Sequence, residues 1–169
     1  MKNTLLLIIS SLILFFLTAC VSVNIGKSKT IKSDQMQFQS PNKIFEKITT
    51  SEFDLAWRNQ KTGNTIAVLS ECGHSNNYNL NQLTTSALSA LNNLKLIEEK
   101  ELIYNDRAAI ETMATGWIDG ISVKMKTIVL QKNACDYTVS YLGVEKNFDQ
   151  NLSDFNSFLS DFKIRSEAK

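Results

Sequence analysis

Two periods of apolar and polar positions run through the middle and end of the chain, and the changes between them mark out its elements. In "EFDLAWRN", Phe53, Leu55 and Trp57 alternate with Asp54, Ala56 and Arg58, the period of two of a half-buried strand. The turn-forming "QKTGN" (Gln60 to Asn64) follows, and Ile66, Val68 and Cys72 then share one face of "TIAVLSEC". Two such runs around a short glycine-containing loop predict a β-hairpin. After the polar "GHSNNYN", Leu80, Leu83, Ala87, Ala90, Leu91 and Leu94 recur at helical spacing, with Asn79 as N-cap and Asn92–Asn93 as stop. Three strand-like runs come next, "KLIEEKELIY", "AAIETMATGWI" and "ISVKMKTIVLQ". The last two are joined by Asp119–Gly120, a strong hairpin signal. "QKNA" turns into "CDYTVSYLG", where Cys135, Tyr137, Val139 and Tyr141 share a face. The chain closes on a helical stripe of Leu152, Phe155, Phe158, Leu159 and Phe162. Hairpin links force antiparallel pairing. The pattern therefore predicts an α+β fold, an antiparallel β-sheet of about six strands flanked by two main helices. Only "QFQSPNKIFEKI" stays open, as two short strands around Pro41 or a short helix after it.

The N-terminus reads differently. Lys2 is followed by an apolar run from Leu5 to Leu17 and then by "LTAC", ending at Cys20. The run is shorter than the ~20 residues that span a bilayer but suits a secretory signal. "LTAC" resembles the bacterial lipobox, in which a peptidase cuts before a diacylglycerol-bearing cysteine. An ordinary signal peptide or an uncleaved anchor would leave that cysteine unexplained. The expected division is a lipoprotein signal peptide over 1–19, a lipidated Cys20 with a flexible tether over 20–35, and one α+β domain over 36–169. A tether of this length reaches about 20 Å. Two acyl chains hold a protein stably at a membrane, and Val21, rather than an aspartate, after the cysteine favours the outer membrane, facing the periplasm.

Charge adds an exclusion. Without Lys2 the chain has 17 basic and 17 acidic side chains, and no basic patch of the kind that nucleic acid demands. One proline and six glycines argue against a disordered body.

Chemistry centres on "SECGH", where Cys72 and the chain's one histidine, His74, are two residues apart. With Cys20 lipidated, Cys72 and Cys135 are an even pair in an oxidising compartment, most simply a disulfide. Both lie on the apolar-alternating faces of their strands. Alternatives are a Cys72/His74 thiol site, which needs a thiolate with a base in reach, and a zinc site from Cys72, His74, Cys135 and Asp136, which lacks the usual ligand spacing. Glu71, Asp119, Glu111 and Asp54 are carboxylates that nothing in the sequence brings together, and no phosphate loop, G-x-S-x-G or HExxH is present. No cofactor and no small-molecule substrate is indicated. Trp57 and Trp117 are expected in the core. The loop carrying His74 and Tyr78 is the candidate partner-binding surface.

The run "FDLAWRNQKTGNTIAVLSECG", the leucine-rich helix, "DRAAIETMATGWIDGISVKMKTIVLQKNACDYTVSYLG" and the closing amphipathic helix together resemble a group of uncharacterised bacterial lipoproteins. That group shares an N–x–x–x–G–x–T/S–I–A hairpin (here Asn59, Gly63, Thr65, Ile66 and Ala67), a "CG" (Cys72, Gly73) and a late "C–x–Y" (Cys135, Tyr137). The element order also resembles the PsbP-like fold of periplasmic lipoproteins such as the DcrB-like group, over about residues 36–164. The resemblance implies an α/β/α sandwich and a binding or assembly accessory of the cell envelope without catalytic machinery; it carries over no functional residue. The expected partners are the membrane, through Cys20, and another envelope protein. The alternative is a small envelope enzyme using carboxylate/lysine or Cys72/His74 chemistry.

Overall fold

The computed structural model describes residues 31–73 and 78–166. The strands are β1 (Met36–Gln37), β2 (Glu46–Lys47), β3 (Leu55–Arg58), β4 (Thr65–Cys72), β5 (Asn92–Tyr104), β6 (Arg107–Ile118), β7 (Ile121–Lys132), β8 (Cys135–Val144) and β9 (Lys163–Ile164). Helix α1 is Leu80–Leu88 and helix α2 is Leu152–Asp161, the latter entered through a 3₁₀ helix, Glu145–Asn151. Seven strands form one sheet in the order β2-β3-β4-β8-β7-β6-β5, and β1 pairs with β9. Every pairing is antiparallel. Six of the seven strands are those the alternation predicts; the seventh, β2, is two residues long and too short to leave a period.

Three two-residue turns join β5 through β8: Asn105–Asp106, Asp119–Gly120 and Asn133–Ala134, all with positive φ. Positive φ at both positions gives the turn whose twist matches paired strands. Asparagine and aspartate supply it at four of the six positions and glycine at one; Ala134 adopts it as well.

The sheet is covered on both faces. On one, Ile66, Val68, Ile128, Leu130, Tyr137, Val139 and Tyr141 are buried beneath Phe155, Phe158 and Phe162. The Tyr141 ring stacks on Phe155 at 5.2 Å, and Trp57 meets Phe158 at 5.5 Å. On the other face, α1 seats Leu83 on Ile110 and Val129, and Leu88 joins Leu91 over Ala114 and Val123. Asn79 caps α1 as expected: its side chain accepts from Gln82 N while the Gln82 side chain accepts from Asn79 N.

Three expectations change. The helical spacing extends to Leu94, but α1 ends at Leu88 and β5 starts at Asn92; Leu91 is still buried, whereas Leu94 is exposed. Trp117 is not core but 45% exposed, on the face opposite to the one α1 covers. The tether does not run free to Gln35. Ile31 bridges Cys72, Ser33 N donates to Ser70 Oγ at 2.8 Å, and Ser33 Oγ lies 2.7 Å from Tyr137 Oη. Polar pairing orders this segment, so it leaves no apolar period to read.

Candidate functional site

Cys72 and Cys135 are directly opposite in the β4–β8 register and joined as a disulfide, with Cα atoms 4.1 Å apart. A bonded pair offers neither a thiolate nucleophile nor thiolate ligands, so the Cys72/His74 and zinc alternatives lose their sulfur. Among the described residues no three histidine, cysteine or acidic side chains are grouped to hold a metal. Cys20 and His74 lie outside the described residues. Tyr78 is exposed, and its carbonyl accepts from Gln131 Nε2 at 2.8 Å. That same amide group donates to Asp136 Oδ1 at 2.7 Å, which ties the end of the loop to β8.

The family-like hairpin motif is a structural hub. Asn151 Oδ1 accepts from Asn59 Nδ2, Thr62 Oγ1 and Asn64 Nδ2 at 3.0–3.2 Å, and Asn64 Nδ2 also reaches Asn147 O. Asn59, Asn64 and Asn151 are all buried. The β3–β4 turn is thus fastened to the start of α2, and Gly63 supplies its positive φ.

The carboxylates separate by environment. Asp54 Oδ2 accepts from Ser70 N and Ser70 Oγ at 2.7 and 2.5 Å, and Lys32 Nζ stands 3.1 Å from Oδ1 as an ion partner without hydrogen-bond geometry. Both oxygens are engaged, and Asp54 braces the segment Ile31–Gln35. Glu111 sits between Lys100 (2.6 Å) and Lys126 (3.1 Å). Burial pushes its carboxyl up, but the two ammonium groups outweigh that and hold it below its ordinary value. Glu71 and Asp136, by contrast, oppose each other across β4 and β8, a juxtaposition that only the register creates.

That pair stands at one end of a cleft of about 320 Å³ between α1 and the sheet, within the size range of ligand pockets. Its floor is the outward side of β4 (Thr65, Ala67, Leu69) and β8 (Thr138, Ser140, Leu142), and its roof is Leu83, Ser86, Ala87 and Ala90. The space exists because both surfaces lack bulk. Ala56, Ala67, Ser140, Thr127 and Thr112 form one row of small side chains across five strands, and α1 packs over β6 and β7. Sequence analysis missed this site. The signal was present: Ser86 and Ala87 on α1 and Ala90 just past its end, above strands whose second face is small rather than bulky.

No family model matches the chain, and no curated protein matches it in sequence. Solved structures do. The cyanobacterial PsbP, CyanoP, of Synechocystis sp. PCC 6803 matches at TM-score 0.57 and 14% identity, over 88% of this chain and 99% of that one. LpqN of Mycobacterium tuberculosis, described as involved in cell envelope biogenesis, matches at TM-score 0.56 and 10% identity, over 82% and 87%. PA94 of Pseudomonas aeruginosa, a putative regulator, matches at TM-score 0.52 and 11% identity, over 78% and 87%. The chain therefore has a PsbP-like fold, as its element order implied. At these identities the likeness is one of fold.

Proposed function

We propose that this protein is a non-catalytic binding accessory of the bacterial cell envelope. In this reading, lipid on Cys20 holds it at a membrane, the outer membrane facing the periplasm, and it receives its ligand in the cleft between α1 and the sheet. The cleft carries the proposal: it is concave and largely apolar, with two carboxylates at one end, which is the usual make-up of a binding site. The lipobox-like "LTAC" supports the tether. The envelope role of LpqN, a protein of the same fold, supports the compartment.

The test uses the full chain in cells, with a photo-crosslinking side chain replacing Ser86 at the cleft roof or Ser157 on α2. Adducts should form from position 86, fade when Ala87→Trp fills the cleft, and be absent from position 157. Equal adducts from both positions would refute a ligand-binding cleft. Metabolic labelling with an alkyne fatty acid should mark the wild type and not Cys20→Ser; labelling of both would refute the anchor.

A further inference from the structure

We infer that the cleft takes a cationic amphiphile: an alkyl chain along the floor with an ammonium-type head between Glu71 and Asp136. The inference rests on the cleft being a binding site and adds the chemistry of its ligand. Charge and shape carry it together. Among the described residues, Glu71 and Asp136 are the charged ones of the lining, and no described lysine or arginine accompanies them. They are directly opposed in the β4–β8 register, where like charges repel and destabilise the pair of strands. Asp136 has one neutral donor, Gln131 Nε2 at 2.7 Å, which leaves acceptor capacity on its carboxylate. A cation placed between the two would relieve the repulsion.

The other end is apolar, closed by Ile118, Met125 and Leu142. Asp136 and Leu142 are six positions apart on β8, so the floor between them is about 20 Å long at ~3.3 Å per residue. Alternate residues of β4 and β8 line that floor with small or apolar groups, Ala67 and Leu69 among them. It is a track for methylene groups. A branched or bulky head would have to stay at the acidic end.

Binding of alkylamines and of chain-matched alkyl carboxylates, below their micelle concentrations, should be followed by calorimetry and by amide-shift mapping on the chain from Val21 to Lys169, which keeps every described residue, with its disulfide intact. Decylamine should bind, shifting amides of β4, β8 and α1, and should bind more tightly than decanoate. Affinity should rise about fourfold for each added methylene. Glu71→Gln with Asp136→Asn should weaken the amine about fivefold and bring it level with the carboxylate. Ala87→Trp should abolish both, and Ala90→Trp serves if the first variant folds poorly. Equal binding of amine and carboxylate, lost in Ala87→Trp, would overturn the cationic assignment while leaving the cleft a binding site. Failure of every chain to bind would overturn both. Amine binding that neither tryptophan variant affects would place the ligand elsewhere and overturn this inference.

Discussion

Gly143 shows how closely the polar hub constrains its neighbours. A Cβ there would run into Asn64 Oδ1 and approach Phe148 Cα, and the Asn64 side chain has no exposed direction in which to retreat. Gly143→Ala is therefore expected to destabilise the protein by about 3 kcal/mol, through overpacking and loss of the Asn64 hydrogen bonds. Urea unfolding with unchanged cooperativity is the check. Glu111 gives a pH signature. Its carboxyl is held below the ordinary value of 4.5, so its contribution is present above that pH and fades as pH falls through the lower, folded-state value. The partner effect on Lys100 has the opposite sense: its hydrogen bond and attraction to Glu111 raise the ammonium pKa, so that contribution fades only at strongly alkaline pH. Glu111→Gln should accordingly lower stability at neutral pH and flatten the acid limb of the stability–pH curve below about 4.5. An unchanged acid limb would mean that the Lys100–Glu111–Lys126 cluster is too screened to matter.

Among the elements, α1 shows what the sequence made legible and what it hid. Its start was readable because Asn79 and Gln82 form a reciprocal cap. Asn79→Ala should cost about 1 kcal/mol and leave the far sheet face untouched, which hydrogen exchange across α1 and α2 would resolve. The end of α1 was harder to read, because Leu91 and Leu94 continue a helical spacing by accident: Leu91 packs under the connection, and Leu94 faces solvent on β5. The β6–β7 and β7–β8 hairpins were readable from alternation and turn residues. The two flanking helices were readable as well, but the gap left beneath α1 was not, because Ala67, Thr127 and Ser140 look like polar-face residues until their row is assembled from the register. The cleft is made by what those side chains lack, and the Glu71–Asp136 pair by a register that joins two positions 65 apart in the chain. Periodicity within one segment contains neither. Trp117 stays exposed for a related reason: its strand runs past the helical cover, so an apolar position at the correct period meets solvent.

Across the whole molecule, the disulfide joins the two central strands of the β3–β4–β8–β7 region and closes a long loop containing α1 and the β5–β7 meander. The chain-entropy estimate for such a loop is roughly 4 kcal/mol. The double variant Cys72→Ser with Cys135→Ser should lose about 2–4 kcal/mol while keeping the fold. Thiol counting on denatured, unreduced protein should find the pair linked; two free thiols would remove the staple. The position of this link bears on mechanics as well as stability. The segment before β1 meets the sheet where Ile31 O accepts from Cys72 N at 2.9 Å. A pull from the N-terminal side would first peel away the contacts of Ile31 to Gln35 one at a time. The load would then pass along the chain through β1, β2 and β3 and unzip β4 from β8 from Thr65 toward Cys72, where the disulfide divides it between the two strands. The domain would yield like a zip with a stop: the strands on the N-terminal side part in turn, and the cross-link arrests the parting at β8.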